Sequence, residues 1–569
     1  MPSPILTKKQ SEGSLSITTG AKKIFQAIYR EQHKPTLDDE VAKIKVSELI
    51  SKMAFYYEKI RNSVDYKEEY LMRKGAILRI LKRQVVIETS ITGQKQEDQH
   101  KIATNLLVEL IRAGYLANNK LPESLIDEVA VILERYLVLK DRSLQHIVAS
   151  GKFFNKEIEK IQNEMDAKTE LTSWIMGMAA SEIEERLSYD QSLEVVVGYM
   201  YQILNDHIAL PGDLPYDDDL SIQVYLGIYR NFLKLDDDDV LSYILLKYYY
   251  PTWSQIKLSE VEVIAERINR LRQLIYHQIH HPLKPQLNKI VHRHTVYFSI
   301  LQDVIKENPQ KVFEEIKTDP KSFDRKIKQA CAHRYHSAKK KLWHSALRSI
   351  IYIFLTKSVF AVLLEVPATK FFGEEINAFS LGINIAFPAL LLFVAVSFAR
   401  LPGSNNTEQI IKGIHEIMFI EKVRQQPIIL RRPIQRNPVI SFIFSVIYIV
   451  TFFVSFGLVI WLLEILRFSW VSMIIFLFFL VFAAFFAVRI RRAPKSLVVV
   501  ESRENIFSFL WNFFYIPVIS VGKWLSGKFS RINVFVFILD FIIEAPFKIF
   551  VAVAEEWTKY VKERKDELS

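Results

Sequence analysis

Hydrophobic positions fall into two regimes along the 569-residue chain. Between residues 21 and 345 they recur every three or four positions, as in Leu125, Ile126, Val129, Ile132, Leu133, Tyr136 and Leu137 behind Pro122, and again in Leu193, Val196, Val197, Met200, Tyr201 and Leu204. That spacing paints one apolar stripe on an α-helix and predicts successive amphipathic helices. Segments 115–122 and 208–217 are short connectors, suited to antiparallel neighbours in a helical bundle or solenoid. From residue 346 the apolar positions become nearly continuous. Segments 439–463 and 470–488 contain no formal charge, 378–399 is interrupted only by Asn384 and Pro388, and 346–366 carries Arg348, Lys357 and Glu365. Each approaches or reaches the roughly 20 residues an α-helix needs to cross a hydrocarbon core. Four transmembrane helices are predicted.

Lysine and arginine set their expected orientation, because the cytoplasmic side retains basic loops. Lys339, Lys340, Lys341 and Arg348 precede the first span. Arg400, Lys412, Lys422, Arg424, Arg431, Arg432 and Arg436 lie between the second and third, and Arg489, Arg491, Arg492 and Lys495 follow the fourth. The other two loops offer Lys370 against Glu374 and Glu375, and Arg467 against Glu464. The first twenty residues lack an apolar core behind a basic start, so no signal peptide is expected. The expected chain is therefore all-α and multi-pass, with both termini cytoplasmic. It divides into a disordered tail (1–20), a cytoplasmic α-helical domain (21–345), a first transmembrane hairpin (346–399), a basic cytoplasmic loop (400–437), a second hairpin (438–489), and C-terminal interfacial amphipathic helices with a charged tail (490–569).

Composition narrows the function classes. Half of all residues are hydrophobic, an excess the spans absorb, and 17 glycines are too few for the turn-rich chain of an all-β fold. A single cysteine, Cys331, excludes an intramolecular disulfide framework and a multi-cysteine zinc site. The net charge of +11 resides largely beside the spans, where it suits anionic lipid at the basic loops better than nucleic acid.

Few residues carry candidate chemistry. Lys357 stands at the centre of the first span, where an unpaired ammonium costs roughly 2.5–3.5 kcal/mol on insertion scales, so a partner is expected. Glu365, two turns on, is too far for direct contact unless the lysine snorkels, and snorkelling is the simplest expectation. Asp540 or Glu544 would serve as partner if the segment 532–554 inserts. In that segment Asp540, Glu544 and Lys548 stand four apart on one helix face, interrupted by Pro546. Eight of thirteen histidines fall between 277 and 344; His277 and His281 are one turn apart, and His292 and His294 follow a Pro282/Pro285 break. No carboxylate or cysteine pattern completes a metal site, and a solvated basic face is expected. Two acidic runs, 217–219 and 236–239, lack the glycine and terminal glutamate of an EF-hand and read as helix starts. Residues 522–528, GKWLSGK, imitate a phosphate loop, but Phe529 replaces its Ser/Thr and Trp524 and Leu525 are too bulky for a backbone that wraps phosphate. Aromatic and basic residues of 507–531 instead suit a membrane interface.

With no cofactor, metal or catalytic signature, the expectation is a non-catalytic membrane scaffold or adaptor. Its cytoplasmic domain would dock an unidentified protein partner, with homo-oligomerisation also compatible. The alternative is a subunit of an oligomeric channel or transporter, whose aqueous path would draw on Asn384, Thr451 and Ser455.

Overall fold

A computed structural model describes residues 16–33, 41–47, 69–88, 98–149, 157–212, 214–374, 377–399, 401–422, 426–432, 437–500 and 515–525, with isolated positions elsewhere. The described chain is almost wholly helical. Its first helices are α1 (Thr19–Gln32), α2 (Glu69–Lys82), α3 (Gln99–Arg112), α4 (Ser124–Ala149), α5 (Glu157–Leu187), α6 (Gln191–His207), α7 (Asp217–Asn231), α8 (Asp238–Tyr249), α9 (Leu258–Glu266) and α10 (Ile268–Ile279). There follow α11 (Lys284–Glu307), α12 (Pro309–Thr318), α13 (Pro320–Phe360), α14 (Val366–Phe371), α15 (Ala378–Ser397), α16 (Ser404–Met418), α17 (Pro438–Ile465) and α18 (Trp470–Ile490). Two-residue strands β1 (Ile208–Ala209) and β2 (Ile428–Ile429) pair in parallel.

The chain forms two compact units. One comprises Glu31–Glu194, Pro215–Asn288 and Asn533–Ser569. Its core is helix on helix: Leu106, Leu107 and Leu110 of α3, Leu133 and Tyr136 of α4, Ile175, Met176 and Ala179 of α5, and Leu241 and Leu245 of α8 are fully buried. Full burial of such a leucine contributes about 1.5–3 kcal/mol. Polar caps start these helices where the apolar periodicity begins. The Asp98 carboxylate accepts from the amides of His100 (3.0 Å) and Lys101 (3.2 Å) at α3, and that of Asp237 accepts from Asp239 and Val240 at α8. Both acidic runs thus open helices, α7 beginning at Asp217.

The other unit comprises Met1–Arg30, Val195–Leu214 and Lys289–Ile532. It contains four helices long and apolar enough to cross a membrane: Lys321–Phe371, α15, α17 and α18. Their starts are written in the sequence. Asn377 caps α15, Asn437 caps α17 ahead of Pro438, and Ser469 caps α18. The first of the four is 51 residues long, roughly 75 Å at 1.5 Å per residue, and runs without a break from the polar region through the first span. A π-helical turn, Ala361–Glu365, lies inside it. Spans one, two and four pack together around Ile353, Leu392, Val396, Ala483 and Ala487, the two alanines permitting close approach. The third span, α17, meets Phe476 and Leu480 of α18 through Leu463, while residues 439–450 are exposed throughout, as a lipid-facing helix would be.

Candidate functional site

The polar group of interest lies where three spans meet. Lys357 and Glu365 come from the long first helix, Asn384 from α15, and Ser472 and Phe479 from α18. Lys357 Nζ lies 3.4 Å from Glu365 Oε2, with the two side chains 0% and 1% exposed. The sequence-based expectation of a snorkelling lysine is therefore corrected: the ammonium is inside the protein, and Glu365 is its partner. Local helix geometry explains the difference. Residues eight apart in a regular α-helix are offset by about 80° around the axis. The π turn between Lys357 and Glu365 takes more residues per revolution and brings the two back to one face.

Glu365 has three donors. Besides Lys357, Ser472 Oγ donates to its Oε1 at 2.6 Å, and the Asn384 amide donates to the same oxygen. The ammonium also sits 4.7 Å from the Phe479 ring centre, a cation–π contact that helps offset its desolvation. A cavity of about 20 Å³ adjoins the carboxylate, lined by Thr369, Asn377, Ser380, Arg467, Ser469 and Ser472. That is room for one water. Asn384 Oδ1 is buried without a hydrogen-bond partner among the described residues. Chemically the arrangement is a neutralised charge pair with a polar flank, able to lock three spans together or to hold a proton.

No family model, curated protein or solved structure matches this chain.

The other candidates from the sequence are dispersed. Asp540, Glu544 and Lys548 lie outside the described residues. His277 is exposed on α10, and its ring meets that of His281 edge to face at 5.7 Å. His281 is buried, not solvated: its Nδ1 accepts from the Leu283 amide (3.2 Å), its Nε2 is 3.4 Å from Asp219 Oδ2, and Tyr216 packs against its ring. Burial holds its pKa below the ordinary histidine value against the opposing pull of Asp219. His292 and His294 belong to the other unit, burial also lowering His292, while His294 Nδ1 lies 3.0 Å from the Ile290 carbonyl. Among the described residues no group of three or more His, Cys, Asp or Glu is arranged to hold a metal. Asp237 and Asp239 take Lys74 Nζ at 2.7 Å each, so the acidic run is a lysine anchor as well as a helix start. Residues 515–525 are helical, which removes the strand a phosphate loop requires before it. A Cβ on Gly522 would lie 2.6 Å from the Val481 carbonyl, so the glycine lets this helix press against α18.

Sequence reading also missed a buried network around Glu182. Glu182 on α5 accepts from Tyr136 Oη and Trp253 Nε1, both at 2.8 Å, and from Arg135, which also donates to the Ser254 carbonyl. Burial raises the Glu182 pKa, while Arg135 and the two aromatic donors oppose that shift. The available signal was faint: Arg135 is a charge between Leu133 and Tyr136 on a predicted apolar stripe.

Proposed function

We propose that this is a multi-pass membrane protein presenting a helical docking platform at the cytoplasmic face, as a non-catalytic scaffold or adaptor for another protein. The observation that carries the reading is the unbroken helix Lys321–Phe371. Its N-terminal half is packed by α12 and α16 and its C-terminal half is the first span, so a rigid rod joins these two helices to the bilayer. An adaptor needs that fixed geometry, whereas a flexible tether would serve only to localise. The basic residues beside the spans support placing the platform, with both termini, on the cytoplasmic side and against anionic lipid. The buried Lys357–Glu365 pair, with its carboxylate also held by Ser472 and Asn384, suits an anchor lock.

Purification of the full-length protein from its native membrane, with mass measurement and quantitative mass spectrometry, tests the reading. A stoichiometric protein partner is expected, released when two residues inserted near position 340 rotate the spans relative to the platform. Recovery of a homo-oligomer without partners, together with solute or ion flux after reconstitution, would replace the adaptor with the channel or transporter subunit. That second reading draws on Glu365, Asn384 and Ser472 beside their small polar cavity.

A further inference from the structure

A cavity of about 670 Å³ lies in the unit that carries the spans, within the range of roughly 300–1,000 Å³ that accommodates small-molecule ligands. One continuous face of α6 forms its longest wall: Val195, Gly198, Tyr199, Gln202, Ile203, Asp206 and His207 follow the i, i+3, i+4 pattern. The start of α1, His294 and the Gly413–Ile420 region form its other walls, and it opens to solvent beside the exposed Lys23, Gln202 and Asp206.

Three glycines line this cavity, and they differ in an informative way. A Cβ on Gly20 would lie 2.0 Å from the Tyr199 ring, and one on Gly413 would lie 2.4 Å from the Tyr297 ring. Both are required by packing. A Cβ on Gly198 would meet nothing within 4 Å. Glycine inside a helix is about 1 kcal/mol less favourable than alanine, and here no neighbour demands it. What its missing side chain provides is open floor in the cavity.

The lining defines what would fit. Tyr199 Oη is already engaged by Thr18 Oγ1 (2.8 Å) and the Ile417 carbonyl (2.9 Å), so the tyrosine offers its ring. Ile203, Ile417, Ile420 and Ile428 add apolar surface, interrupted by the polar side chains of Gln202, His207 and His294. Charges of both signs stand around them, Lys23 on α1 against Asp206 on α6 and Glu416 on α16. We propose that this cavity binds a zwitterionic molecule with an apolar body, of the chemistry of a short hydrophobic peptide, its carboxylate read by Lys23 and its ammonium by Asp206.

The test uses full-length protein in nanodiscs, titrated calorimetrically with leucyl-leucine and with the same dipeptide acetylated and amidated to remove both charges. Saturable binding of leucyl-leucine is expected, at least tenfold weaker for the blocked form and for Lys23→Ala and Asp206→Asn. Gly198→Leu should abolish binding while leaving the melting temperature of the unliganded protein equal or higher, because the new side chain enters open space and favours helix. Absence of saturable leucyl-leucine binding, equal binding of the blocked dipeptide, or undiminished binding by a stably folded Gly198→Leu protein would overturn the proposal.

Discussion

Breaking the Lys357–Glu365 pair from one side should cost far more than removing it whole. Both groups are withdrawn from solvent, so Lys357→Leu leaves a carboxylate whose remaining donors are Ser472 and Asn384, and Glu365→Gln leaves an ammonium whose described support is the Phe479 face. Removing one partner of a buried pair typically costs about 3–5 kcal/mol, while replacing both with groups of similar volume is often close to neutral. Lys357→Leu should fall near the lower figure, because two neutral donors still serve the carboxylate. Glu365→Gln should fall near the upper one. The double variant keeps an amide acceptor for Ser472 and should lie within about 1 kcal/mol of the parent, giving a coupling energy of at least about 7 kcal/mol. Reversible unfolding of the full-length protein in mixed micelles of rising SDS fraction, followed by tryptophan fluorescence, measures all four corners of the cycle. Additive single effects would refute the pairing, and a neutral Lys357→Leu would show that the lysine reaches water.

The remaining predictions concern other parts of the molecule. Gly522→Val forces a side chain into the Val481 carbonyl and the Phe485 Cβ, so it should detach helix 515–525 from α18 and raise labelling of a cysteine placed at Trp524. Arg135→Met strands the Glu182 carboxylate in the core and should destabilise by about 3–5 kcal/mol in chemical denaturation, with Glu182→Gln in the same chain restoring most of the loss. His281 is held neutral by burial, with a folded pKa below its unfolded value of 6.5. Its stabilising contribution is therefore complete above about pH 6.5 and is lost as the pH falls toward the folded pKa, because the unfolded chain takes up the proton first. His281→Gln should flatten the pH dependence of the melting temperature below that point, and an unchanged slope would exclude His281 as its source.

The four long apolar helices were legible because continuous apolar runs of that length have one economical solution in a bilayer, and three of their starts because Asn377, Asn437 and Ser469 precede them as caps. Amphipathic helices were equally plain: the stripe from Leu125 to Leu137 is buried on α4 with Ile126 at its edge. The site was legible only in part. Lys357 and Glu365 were visible as charges out of place, but their contact depends on a π turn that no residue in Ala361–Glu365 announces, and on Asn384 and Ser472 from helices distant in sequence. Histidine spacing misled for a related reason. A count of imidazoles cannot distinguish His277 at the surface from His281 four residues later in the core, since burial belongs to the neighbours Asp219 and Tyr216 that α7 and its approach supply.

The long first helix is also held near both ends, and this decides how a force on it would travel. In its polar half Asp324 meets His415 Nε2 at 2.7 Å, and Tyr335 Oη accepts from Asn406, so α16 in the segment between spans two and three is fastened to it twice. Asn406 extends the joint to the exit of span four by donating to the Leu497 carbonyl and accepting from the Val499 amide. In its apolar half the same helix is fixed by Glu365 to spans two and four. Asp324 and Lys357 are separated by about 50 Å of regular helix, too stiff to absorb a rotation locally. A displacement of α16 must therefore either break the Asn406 and His415 joints or turn the first span against the Glu365 cluster. The Glu365 lock between three apolar helices and the α16 joint at the other end of the rod therefore act as one mechanical element.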